Sequence, residues 1–95
     1  MPAYIIVDLD VKDQARFDEY RRAVGPTIAQ YGGKPLVRNG RFEVLEGSWT
    51  PKGVVVLEFP SIDAAKRWYN SPEYKPLIAR RQAASSANLI VVEGV

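Results

Sequence analysis

The side chains best equipped for chemistry are aromatic and cationic, and most crowd one stretch: Trp68, Tyr69, Tyr74 and Arg80, with Glu58 just ahead and Tyr31 earlier in the chain. A phenol and a guanidinium converging on a cavity suit a carboxylate or an enolate, because arginine grips planar anions through two parallel N–H donors. Trp68 and Tyr69 would wall such a cavity, with small neighbours Ala64 and Ala65 leaving room beside a sheet. Either Arg80 or Arg81 is the inward arginine, because a break at Pro76 resets the helical register. Glu58 alternates with Val54 and Val56 on a strand, and desolvation there would raise its carboxyl toward the range of a general base. Each assignment has a structural competitor. Tyr31, Trp68 and Tyr69 also suit a core that supplies partners for their polar atoms. Arg80 also reads as a solvated arginine, and Glu58 as half of an interface ion pair with Arg38 or Arg41.

What the chain lacks narrows the chemistry further. It has no cysteine, which removes disulfides, thiolate catalysis and thiolate-held zinc or iron–sulfur clusters. It has no histidine, so the usual general base and the commonest metal ligand are missing. No metal site is expected and no cofactor is called for. Acid–base work falls to Asp, Glu, Tyr, Lys or the ligand itself. A net charge of +2 is too small for a phosphate-tracking polycation, and the 46% hydrophobic and 25% charged fractions suit a globular chain. Ninety-five residues suffice for one domain, 1–95. The start, MPAYIIVDLD, has neither a basic leader nor a cleavage site, and no apolar run reaches membrane-spanning length; a cytoplasmic protein with no membrane partner is expected.

These residues must be positioned by regular elements. Ala3 to Asp10 alternates as a strand, with Ala3, Ile5, Val7 and Leu9 on one face and Tyr4, Ile6, Asp8 and Asp10 on the other. Asp13 caps a helix carrying Phe17, Tyr20, Val24, Ile28 and Tyr31 at helical spacing, with a kink or restart predicted at Gly25-Pro26 and an end at Gly32-Gly33. Lys34 to Val37 and Arg41 to Glu46 read as one strand broken around Arg38-Asn39-Gly40. A loop spans Gly47 to Gly53, and Val54 to Phe59 is the next strand. Ser61 caps a helix to about Asn70, and Ser71-Pro72-Glu73 signals a second start, with Ser71 as N-cap and Pro72 at the first helical position. Asn88 to Glu93 closes the order β-α-β-β-α-β with its second helix split, the ferredoxin-like α+β plan: a four-stranded antiparallel sheet with helices on one face.

The sheet's other face is bare. RNA-recognition domains share this plan and carry K/R-G-F/Y-G/A-F-V-x-F/Y on the third strand. Here that run is Lys52-Gly53-Val54-Val55-Val56-Leu57-Glu58-Phe59, and the stacking positions hold Val54 and Val56, which offer no π-face. Nucleic acid is therefore not expected. Tyr4, Ile6, Val54 and Val56 make that face apolar, and a second copy packed sheet against sheet about a two-fold axis is the predicted cover.

The combination of Tyr31-Gly32-Gly33, Val44-Leu45-Glu46-Gly47 with Trp49, Leu57-Glu58-Phe59-Pro60-Ser61, Trp68-Tyr69 and Ser71-Pro72-Glu73-Tyr74 resembles the family of domain of unknown function 1330, across almost the whole chain. The resemblance implies the dimeric α+β-barrel superfamily, in which ferredoxin-like protomers join their sheets. Its members include small cofactor-free monooxygenases, haem-degrading enzymes and lactone isomerases. Haem-degrading members rely on a histidine ligand, which this chain lacks. Two functional readings follow. One is a small-molecule binding protein or cofactor-free enzyme for an anionic or aromatic compound, with Trp68, Tyr74 and Arg80 around the ligand and Glu58 as base. The other is a dimeric interaction module with a filled core.

Overall fold

In the computed structural model, which describes residues 1–95, the first strand, β1 (Ala3–Val11), sorts the molecule into layers. Ala3, Ile5, Val7 and Leu9 are buried beneath helices, and Tyr4, Ile6, Asp8 and Asp10 point to the opposite face. The chain continues through α1 (Gln14–Gln30), β2 (Lys34–Arg38), β3 (Val54–Phe59), α2 (Ile62–Tyr69), α3 (Lys75–Ala84) and β4 (Ser85–Glu93). All strand pairings are antiparallel, in the order β2-β3-β1-β4. This is the ferredoxin-like α+β arrangement. Its extents of 36 × 34 × 16 Å are those of a thin slab, one helical layer on one sheet.

Local chemistry explains most boundaries. The Asp13 carboxylate accepts the Arg16 N–H at 3.2 Å, and Ser61 Oγ accepts the Ala64 N–H at 3.1 Å, each satisfying a donor that its helix leaves free. α1 ends in a Schellman arrangement, with the Gly33 N–H donating to Ile28 and the Gly32 N–H to Ala29. Gly32 holds φ +78°, where glycine alone is unstrained. At Gly33 a Cβ would lie 2.6 Å from the Phe59 ring and 2.8 Å from Ile28, so the helix closes on the sheet here as no other residue would allow.

Four expectations are corrected. α1 runs unbroken through Pro26. Proline crowds the Cβ of the residue before it, and Gly25 has none, so the helix loses one hydrogen bond at Pro26 without the restart that is one of the two outcomes expected there. Ser71 does accept the Tyr74 N–H at 3.1 Å, yet residues 72–74 form a turn and α3 begins only at Lys75. Pro76 has no N–H to continue the ladder, and the Leu77 N–H reaches back only three residues, to Tyr74, at 2.8 Å. Arg41 to Glu46 form no strand. Asn39 at φ +53° turns the chain away, and the segment leaves Phe42, Val44 and Leu45 exposed with no strand beside them. β4 starts three residues before Asn88, because Ser85, Ser86 and Ala87 pair with Val11, Asp10 and Leu9.

The return from residue 39 to 53 is tethered to β1. The Asp8 carboxylate accepts the Trp49 indole N–H at 3.1 Å and the Lys52 N–H at 3.0 Å. These two bonds hold its pKa below the usual carboxylate value, the indole contributing most. Along the outer face run Tyr4, Ile6, Val54, Val56, Ile90 and Val92; Ile90 and Val92 are exposed and the others are partly so. No helix is long and apolar enough to cross a membrane.

Candidate functional site

α1 packs chiefly on α3 and meets the sheet at few points. The space beneath it is a cavity of about 480 Å³, floored by Ile5, Val7, Leu9, Val55 and Leu57 from the sheet and roofed by Phe17, Val24 and Ile28 from α1. Gly25, with no Cβ, lines the roof; a side chain there would meet nothing within 4 Å.

The polar groups of this apolar space converge. Tyr20 and Tyr74 share a hydroxyl–hydroxyl hydrogen bond of 2.9 Å, and Arg81 Nη1 donates to the Tyr74 oxygen at 3.3 Å. α1 supplies the first phenol, the turn before α3 the second, and α3 the guanidinium. Burial pushes the Tyr20 phenol far above its ordinary range, and the neighbouring Tyr74 adds to the effect. Burial raises Tyr74 also, partly offset by its bond to Tyr20 and by the Arg81 charge. Both phenols are therefore neutral donors at physiological pH. Arg81 is 7% exposed, and no carboxylate lies within ion-pairing distance of it. No fully buried side-chain nitrogen or oxygen lacks a partner, and Arg81 is among the residues that line the cavity.

Trp68 closes the wall. Its ring stacks on Tyr74 with centroids 4.0 Å apart, and its indole N–H donates to Thr27 Oγ1 at 3.0 Å, which in turn donates to the Val24 carbonyl. The tryptophan thus serves core and cavity together, with its polar atom satisfied inside the protein.

Among the other residues singled out from sequence, Arg80 is exposed; one helical step, about 100°, separates it from the inward Arg81. Tyr69 packs at 5.8 Å from the Tyr74 ring, behind the wall and outside the cavity lining. The space lies under α1, and Ala64 and Ala65 fill core instead of bordering it. Tyr31 sits at the C-cap of α1 and donates its hydroxyl to Glu73 at 2.7 Å on the surface, away from the cavity. That bond lowers the pKa of the Glu73 carboxyl and raises that of the Tyr31 phenol. Glu58 lies on the opposite face of the sheet, 3.4 Å from Lys34 and paired with neither Arg38 nor Arg41. Tyr20 and Arg38 also line the cavity and were not singled out as site residues. Tyr20 stands in an apolar stripe where a phenylalanine would pack equally well, which is the signal that its hydroxyl has a purpose.

No cluster of acidic, histidine or cysteine side chains could hold a metal ion. The family model for DUF1330, a domain of unknown function, matches residues 2–95. The chain belongs to that family. No curated protein sequence matches it. Among solved structures, the protein RPA0582 of unknown function from Rhodopseudomonas palustris is similar at 25% identity and TM-score 0.79, over 99% of this chain and 82% of that one. SnoaB, a cofactor-independent oxygenase from Streptomyces nogalater, superposes with TM-score 0.71 at 14% identity, over 99% and 93%. A dimeric ferredoxin-like protein of unknown function from Jannaschia sp. CCS1 does so with TM-score 0.66 at 14% identity, over 99% and 100%. At those identities the latter two likenesses concern the fold.

Proposed function

We propose that this DUF1330 protein is a small-molecule binding protein or cofactor-free enzyme whose cavity takes an aromatic anion, with its charged group on Arg81, Tyr74 and Tyr20 and its ring against Trp68. The observation that carries this reading is Arg81: a buried cation with no carboxylate partner, facing an apolar cavity. An arginine of this kind needs a counter-charge, and a ligand carboxylate or enolate supplies it. Arg81 and the one phenolic proton that the Tyr20–Tyr74 bond leaves free also stabilise developing negative charge on oxygen. The lining contains no Asp or Glu. Reaction in this site therefore rests on positioning and charge stabilisation of a substrate that brings its own acidity. The cofactor-independent oxygenase among the structural neighbours is consistent with such chemistry. A module with no site is the weaker reading, because a filled core leaves no cavity.

Arg80 and Glu58 have no part in this reading, and neither do Tyr31 and Tyr69. The test is a thermal-shift screen of aromatic acids, quinols and lactones on the wild type, Arg81→Gln and Arg80→Gln. Anionic aromatics should stabilise the wild type and Arg80→Gln and lose that effect in Arg81→Gln. A response that survives in Arg81→Gln would sink the assignment.

The sheet's outer face carries the second part of the proposal, a homodimer. Tyr4, Ile6, Val54, Val56, Ile90 and Val92 form an apolar surface on a slab 16 Å thick, and a second copy covers it by two-fold symmetry. The Jannaschia protein of the same fold is dimeric, which is consistent with a dimer here. Light scattering at micromolar concentration should give twice the chain mass; a strictly monomeric mass would defeat it.

A further inference from the structure

We infer that Arg38 is a second anion-binding residue of the cavity, so that the preferred ligand is an aromatic compound with acidic groups at both ends. The inference rests on the proposal that Arg81 holds the first acid. Its basis is a β-bulge. Lys34 pairs with Glu58 and Pro35 with Leu57, but Val37, not Leu36, pairs with Val56, and Arg38 with Val55. One extra residue, Leu36, has been inserted into β2 opposite an unbroken β3. Because side chains alternate along a strand, such an insertion reverses the facing of all that follows. Without it Arg38 would share the outer face with Lys34. With it Arg38 stands opposite Val55, a residue of the cavity floor, and itself lines the cavity.

The surroundings fix this placement. Immediately after Arg38 the chain turns at Asn39, φ +53°, whose N–H donates to the Val54 carbonyl at 2.8 Å. A Cβ on Gly53 would come within 2.6 Å of the Asn39 side chain, so the turn is packed shut against β3. The charge balance points the same way. Arg21, Arg38 and Arg81 line the cavity, and no carboxylate does. Arg21 is already shared with Asp18 at 3.5 Å, whereas Arg38 has no ion-pair partner. Arg81 is buried and Arg38 exposed, so the two unpaired cations mark the deep end and the mouth of one apolar space. A bulge that turns an arginine from the dimer face into a cavity mouth supplies a second charge for recognition, and it also removes a cation from a face that must pack on another protomer.

The experiment is isothermal titration calorimetry on the full chain. The probes are naphthoate, with one carboxylate, and the naphthalenedicarboxylate with its acids at opposite ends of the ring system. Wild type, Arg38→Gln, Arg81→Gln and the net-charge control Arg16→Gln are compared. An exposed charge pair supports a preference of about fivefold for the diacid in the wild type. Arg38→Gln should erase that preference by weakening the diacid about fivefold more than naphthoate, and Arg16→Gln should keep it. Equal wild-type affinities, or a diacid preference that survives Arg38→Gln, would overturn the role of Arg38 while leaving Arg81 in place. Wild-type protein that binds neither compound would remove both assignments.

Discussion

Replacing Arg81 with methionine distinguishes a site arginine from a structural one by the sign of the stability change. Arg81 is 7% exposed, pairs with no carboxylate, and gives a neutral phenol one long hydrogen bond of 3.3 Å. Burying a cation without a counter-charge costs several kcal/mol, reduced here because none of its nitrogens is fully buried without a partner. Losing the bond to Tyr74, made by a charged donor but long, sets about 1.5 kcal/mol against removal of that penalty. Methionine has the flexibility to fill the space of the arginine stem and packs well beside aromatic rings. The balance is a gain of about 1–2 kcal/mol, in line with the effect of replacing buried charges by apolar residues. For a chain of this size each kcal/mol moves Tm by about 4–8 °C. Urea and thermal unfolding at matched protein concentration read the change, since the proposed self-association would make apparent stability depend on concentration. The same variant should no longer be stabilised by aromatic acids. A loss of more than about 1 kcal/mol in ligand-free Arg81→Met would refute the reasoning, for it would show that the fold relies on the arginine.

Two further outcomes follow from the phenol pair. Tyr74→Phe leaves both Tyr20 and Arg81 without their hydroxyl partner and should cost about 1–3 kcal/mol, and Tyr20→Phe, which spares the Arg81 contact, about 0.5–1.5 kcal/mol. The double variant should cost less than the sum, because it leaves no orphaned tyrosine hydroxyl; strict additivity in denaturant melts would count against a coupled pair. Alkaline titration tests the same groups. Both phenols have folded values raised above 10.0, so their contribution is fully present below that pH. It is lost as pH rises, because the unfolded chain releases protons that the folded one retains. Phenolate absorbance from this pair should therefore appear together with loss of circular dichroism, and ionisation of both in a still-folded protein would contradict their burial.

The parts legible in the sequence are those governed by neighbours in the chain. Asp13, Ser61 and Gly32-Gly33 mark helix ends because a cap needs only residues a few positions away, and the alternation of β1 declares its two faces. Arg41 to Glu46 misled because Phe42 and Val44 alternate as in a strand, whereas a strand also needs a partner edge, which the turn at Asn39 denies it. The start of β4 was hidden for the converse reason. Ser85, Ser86 and Ala87 have little intrinsic preference for a strand, and β1 supplies the pairing from far along the chain. At the site, Trp68 and Tyr74 were legible as aromatic residues near a helix break, but the choice of Arg81 over Arg80 depended on where Pro76 let the helix begin. Glu58 was correctly read onto the outer face, yet its partner, Lys34, belongs to β2. The facing of Arg38 depends on a bulge, and a bulge is a relation between two strands that neither strand's sequence declares.

α3 ends at Ala84 and β4 begins at Ser85, and the Ala84 carbonyl accepts the N–H groups of both Lys12 and Asp13. The helix that carries Arg81 and the strand that carries Leu89 are therefore joined without slack. Added length has nowhere to go: one residue inserted on the strand side would exchange the inward Leu89 with the outward Ile90. Inserted between Arg81 and the junction, it would rotate the guanidinium by about 100° around the helix axis, away from the phenols. At this joint the number of residues matters as much as their identity, because the spacing itself aims the cation and sets which side chains the outer face presents.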